Sequence, residues 1–80
     1  MSVLAREGTV ATLSGRRIGI GNIWVRRDSD RLTATLHFED DTTVEAVEGT
    51  VLELGDERWR VATVREGQPH GEVSFEAEAG

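Results

Sequence analysis

Residues 32–39 read LTATLHFE, so that Leu32, Ala34, Leu36 and Phe38 alternate with Thr33, Thr35, His37 and Glu39. Successive side chains of an extended strand point to opposite faces, and this order makes one face apolar and the other polar. The stretch predicts a half-buried strand of an antiparallel sheet.

The same rhythm recurs on both sides of it. EVSFEAEA, 72–79, places Val73, Phe75 and Ala77 inward and Glu72, Ser74, Glu76 and Glu78 outward. TTVEAV (42–47), TVLEL (50–54) and RWRVATV (58–64) lie between, and TVATL (9–13) precedes them. Helical periodicity is weak throughout, and glycines fall mostly between the candidate strands. With 80 residues and no cysteine, one core must be held by apolar burial alone. The expected architecture is all-β: a single domain over 1–80, built as a small, mainly antiparallel barrel (SH3-like or OB-like) or a short sandwich of six to seven strands.

Parity also constrains register, because directly opposed residues of an antiparallel pair share a face. In WVRRDSDRLTA, matching Val25 to Ala34 brings Ile23 opposite Leu36 and Asp28 opposite Arg31, with Ser29-Asp30 as a two-residue turn. Matching Leu54 to Trp59 brings Leu52 opposite Val61 and Glu53 opposite Arg60. Matching Phe38 to Val44 leaves a loop at Asp40 to Thr42. Two segments break their own alternation: Val64 is out of phase with Trp59 and Val61, and Ile23 and Val25 are out of phase with Ile18 and Ile20. Each slip predicts a β-bulge or bend, the second at Gly21-Asn22.

The composition excludes several functions. The net charge of −6 opposes general affinity for nucleic acid or anionic lipid, which depends on neutralising phosphates. No apolar run approaches the roughly 20 residues that span a bilayer, and Arg6-Glu7 falls where a signal peptide needs an apolar core. A chain without cysteine fits a reducing compartment, so a cytoplasmic location is expected. Gly19 and Gly21 begin a G-x-G pattern, but Trp24 stands at the third glycine position and a strand follows where a dinucleotide fold needs a helix. His37 and His70 lack metal-ligand spacing. The acids of EDDTTVE lack the calcium-loop pattern. No serine sits in a nucleophile motif. No catalytic residue, cofactor or metal is therefore expected.

One surface feature survives. With Ile23 and Val25 inward, Trp24 and Arg26 point outward beside Thr35 and Thr33, and Asn22 lies opposite His37. Trp24 either packs beneath the N-terminal segment or a neighbouring strand, or is free for contact; Trp59, in phase with Leu52, Leu54 and Val61, belongs to the core. Tryptophan and arginine are enriched at protein interfaces. The expectation is a non-catalytic protein-interaction or accessory module with a protein partner or a homodimer, binding through Asn22, Trp24, Arg26, Thr33, Thr35 and His37. The alternative is a small nucleic-acid- or ligand-binding barrel using the Trp24/Arg26 face.

The segment EGTVLELGDERWRVATVREG, 48–67, resembles a pattern of small uncharacterised actinobacterial all-β proteins: a glycine-led apolar strand, a short turn, then W-x-V-x-x-V. The use of arginine for all nine cations suits a GC-rich bacterial genome. The resemblance implies the fold and a bacterial source, and carries no activity with it.

Overall fold

The computed structural model describes residues 2–78, and among these it contains eight strands and no helix. They are β1 (Ser2–Arg6), β2 (Val10–Leu13), β3 (Arg16–Val25), β4 (Leu32–Phe38), β5 (Thr43–Ala46), β6 (Val51–Leu54), β7 (Glu57–Arg65) and β8 (Glu72–Glu78). The strand beyond the expected six or seven is β1, whose inward residues are only Val3 and Ala5 while Leu4 points to solvent. That pattern is too short and too small-sided to stand out from the sequence. With no helix present, none is long and apolar enough to cross a membrane among the described residues.

The strands form two antiparallel four-stranded sheets, in the orders β1-β8-β7-β6 and β2-β3-β4-β5. The sheets do not close into a barrel; the architecture is a short sandwich. The chain begins at one edge of the first sheet, crosses to the second, meanders through it, and returns to finish beside its own start. Between the sheets lies one apolar core of Leu13, Ile18, Ile20, Leu36, Leu52, Leu54, Trp59, Val61, Val64, Val73 and Phe75, with small Ala5, Ala11, Ala34 and Ala46 between them.

Both expected bulges are present. The β3–β4 register shifts between Ile20 and Ile23, and the β7–β8 register shifts between Val61 and Thr63. One extra residue reverses the parity beyond it, which is how Val64 returns to the core after Val61.

All three expected hairpin registers are displaced by two residues. Ile23 pairs with Ala34 rather than Leu36, Leu52 with Trp59 rather than Val61, and Leu36 with Val44 where Phe38 was expected. A shift of two preserves every side chain's face, so the core pattern cannot detect it. Turn geometry decides instead. Ser29-Asp30 is not a two-residue turn; the loop is Arg27–Asp30, closed by Asp30 N–H donating to Arg26 O (2.8 Å) and Arg26 N–H to Arg31 O (3.0 Å). A tight two-residue turn needs left-handed backbone at its first central residue, as at Ser14 and Gly55 (φ 53° and 65°); Ser29 does not adopt it, although Asp30 does (φ 54°). Ser14-Gly15, by contrast, has φ of 53° and 75° and joins β2 to β3 in two residues. At the β4–β5 tip, Asp41 takes φ 67° in a three-residue loop of 39–41, and the Asp40 carboxylate accepts from Thr42 N–H (3.2 Å) and Oγ1–H (2.6 Å). Those bonds hold the Asp40 carboxyl below its usual range.

Polar clasps join the sheets. At one end, Trp59 Nε1–H donates to Ser14 Oγ (2.7 Å), and Ser14 donates to Glu57 (2.5 Å). The buried indole thereby satisfies its one donor across to the β2–β3 turn. At the other end, the Glu7 carboxylate accepts from Ile23 N–H (3.0 Å) and Gly71 N–H (3.2 Å), linking the β3 bulge to the start of β8. The Ile23 N–H first and then the Gly71 N–H depress the Glu7 carboxyl below its usual value, against a weaker opposing effect of burial, with a still smaller contribution from nearby His70. Position 71 admits only glycine, since a Cβ there would lie 2.5 Å from Arg65 O and 2.8 Å from Ile23 Cδ1.

Candidate functional site

The outward face of the β2–β5 sheet is where the sequence places its binding residues. Bulging at Gly21-Asn22 turns Trp24 and Arg26 outward, as the parity of Ile23 requires. The Arg26 guanidinium lies over the indole of Trp24, 5.8 Å from the ring centroid. Two carboxylates hold it there: Asp28 accepts from Arg26 Nε (3.2 Å) and Glu45 from Nη1 (3.3 Å). Trp24 is half-buried. It does not lie under the N-terminal segment, because β1 belongs to the opposite sheet.

The structure brings together only part of the expected set. Thr35 is half-buried beside Glu45, its partner on β5. Thr33, expected outward and available, faces outward in register with Trp24 but is 0% exposed, and its Oγ1 donates to Arg31 O (3.3 Å). It is buried beside the indole and offers nothing to a ligand. Asn22 is exposed within the bulge rather than opposite His37; the residue paired with His37 is Gly19. Val25, expected in the core, is 45% exposed, because its inward direction lies at the open end of the sandwich.

Gly19 and Gly21 define a feature outside the expected binding set. Both share the outward parity, so the middle of the sheet has no side chain of its own at either position. The exposed His37 occupies part of that space, since a Cβ on Gly21 would meet its Nε2 at 2.7 Å and Cδ2 at 3.2 Å. Beside it is a shallow hollow of about 390 Å³ lined by Val10, Arg17, Gly19, His37, Phe38 and Glu39. The spacing I-G-I-G carried this signal: with isoleucines inward, both glycines must face outward. Val10, on the same face, is 54% exposed.

The chemical reach of this face is limited. Among the described residues no group of three or more His, Cys, Asp or Glu side chains is placed to hold a metal ion. The Arg26 guanidinium already has two carboxylate partners, so the cluster Arg26, Asp28, Glu45 carries a net negative charge and gives little to a phosphate. What it presents is an aromatic edge, a guanidinium paired with two carboxylates and the His37 imidazole across Gly21. No family model matches the chain, and no curated protein or solved structure matches it significantly. The resemblance at 48–67 therefore stands on those residues alone.

Proposed function

We propose that this chain is a non-catalytic protein-interaction module, an accessory component of a bacterial cytoplasmic system, that engages a protein partner through the outward face of the β2–β5 sheet. The observation that carries the reading is the Arg26–Trp24 stack, held in place by Asp28 and Glu45 before any partner arrives. Immobilising long side chains on binding costs about 0.5–1.5 kcal/mol each, and the contacts of Arg26 with Trp24, Asp28 and Glu45 offset part of that cost. Aromatic and arginine anchors of this kind dominate interface energetics. On the same face the His37 imidazole lies across Gly21, so a partner would meet that ring and the small Gly19 beside it.

A second reading, ligand or nucleic-acid binding by the same face, draws on the hollow beside Gly19, with Arg17 and His37 at its rim. Its volume falls in the range of roughly 300–1,000 Å³ typical of ligand sites. The acidic balance of the chain and the occupied guanidinium weigh against phosphate.

Quantitative crosslinking and mass spectrometry from native lysate, comparing the natural chain with Trp24→Ala, tests the first reading. The expected outcome is a protein partner lost in the variant, with a weakening of at least about 2 kcal/mol, as for an interface anchor. A partner retained undiminished by Trp24→Ala would remove this face. A salt-sensitive change in tryptophan fluorescence on adding oligonucleotide would select the second reading instead.

A further inference from the structure

The four edge strands of the sandwich are not alike. Hydrogen-bonding direction alternates along an antiparallel strand, so every second residue of an edge strand turns its N–H and C=O away from the sheet. Glu7 N–H donates to Gly71 O (2.9 Å), which assigns Val3 and Ala5 to the β8 ladder and leaves Ser2 and Leu4 facing the open side. Ile20 N–H donates to Thr9 O (2.8 Å), so on β2 the open residues are Val10 and Thr12. Phe38 N–H donates to Thr42 O (2.9 Å), leaving Thr43 and Glu45 open on β5. Val61 N–H donates to Thr50 O (2.8 Å), leaving Val51 and Glu53 open on β6.

Natural sheets discourage edge-to-edge pairing by placing charge on the edge strand. β5 and β6 do so with Glu45 and Glu53. β1 and β2 carry no charge at their open residues, apart from Arg6 at the end of β1, whose carbonyl is already taken by Thr9. The two most exposed large apolar side chains, Leu4 (65%) and Val10 (54%), belong to these same residues. At Leu4, an unpaired backbone and an uncovered side chain coincide on a strand without bulge or proline.

We infer that β1 pairs antiparallel with β1 of a second copy, on a two-fold axis through Leu4. That register makes Leu4 exchange both backbone hydrogen bonds with its symmetry mate and sets Ser2 opposite Arg6. No like charges oppose each other. The outward side chains then form rows across the joined sheet. The central row runs Ser74, Leu4, Leu4 of the second copy, Ser74 of the second copy. In the flanking row Arg6 stands between its own Glu72 and the Ser2–Glu76 pair of the other copy. The complementarity is between the arginine of each β1 and the acids of both β8 strands, and the two leucines cover one another at the centre. Pairing continues the β1-β8-β7-β6 sheet into one of eight strands and leaves the Trp24 face untouched, so the inference is independent of the function proposed above.

Sedimentation equilibrium over a wide concentration range tests it. The natural chain should show a reversible monomer–dimer equilibrium. Leu4→Lys, which opposes two cations on the axis, should be monomeric throughout with an unchanged β circular-dichroism spectrum. Val51→Lys, at an exposed valine on β6, the opposite edge of the same sheet, should dimerise like the natural chain. Because the chain has no cysteine, Leu4→Cys provides a second readout: mild oxidation should yield a covalent dimer. A monomer at every concentration, a dimer that survives Leu4→Lys, or crosslinking by Val10→Cys and not by Leu4→Cys would each overturn the inference. Trp24→Ala should leave the equilibrium as it is.

Discussion

The two outward faces of the sandwich use similar residues to opposite ends. On the β1-β8-β7-β6 sheet, Arg60 pairs with Glu76 (2.7 Å), Arg58 with Glu53 (3.0 Å), and Thr63 with Ser74 (2.6 Å), and Arg65 and Arg6 both lie in register with Glu72. Every charge has its complement one strand away, and the face has no aromatic side chain among the described residues. On the β2–β5 sheet, charge is sparse across the middle, glycine replaces side chain at two outward positions, and one arginine is committed to a tryptophan. A face that satisfies its own polar groups has little to gain from a partner. One that leaves an aromatic and an exposed valine partly uncovered does, because covering them removes apolar surface from water.

The ion-paired face solvates the fold, and the stability comes from the core beneath it. Phe75 and Glu76 are neighbours on β8, one 0% exposed and the other at the surface. Phe75→Ala should cost about 3–5 kcal/mol, measured by denaturant unfolding, because it removes a large side chain and leaves a cavity between the sheets.

A smaller and conditional loss is expected at the clasp that holds the two sheets in relation. The Glu7 carboxyl is depressed in the folded chain by the Ile23 and Gly71 N–H groups. Its contribution is therefore present above the ordinary carboxylate range and is lost as pH falls through the lowered folded value. A titration of stability against pH should show an acid-side decline that is shallower in Glu7→Gln, with the two profiles differing most near neutrality. Profiles that run parallel from neutral to acid pH would remove Glu7 from that role.

The smallest effect is expected at the surface ion pairs. A double-mutant cycle on Arg60→Ala and Glu76→Ala should give a coupling of only about 0.2–1 kcal/mol, falling with salt, since both side chains are substantially exposed (39% and 50%). A coupling several-fold larger would make the paired face structural.

That weakness explains what could be read in the sequence and what could not. The expected registers rested partly on charge pairs, Asp28 with Arg31 and Glu53 with Arg60. In the fold, Glu53 sits opposite Arg58 instead, and the pair forms equally well. Arginines at 58 and 60 share a parity, so the cue was degenerate by two residues and too weak to choose. Loop geometry chose: a two-residue turn at Gly55-Asp56, four residues at 27–30. The candidate site was legible to the same extent. Trp24 and Arg26 face outward as their parity demands, while the burial of Thr33, the pairing of His37 with Gly19 and the recruitment of Glu45 depend on register and on a strand from elsewhere in the chain.

The order of apolar and polar residues settled by itself that the chain is β throughout, which side of each strand is oily, that both bulges exist and that Trp59 is buried. These are consequences of a period of two, a property local to each strand. Only the tertiary structure decided which residues meet across the ladders, that β1 returns to β8, and that Glu7 ties the β3 bulge to Gly71. A slide by two leaves every side chain on its own face, so such choices fall to turn backbone angles and to contacts between distant segments.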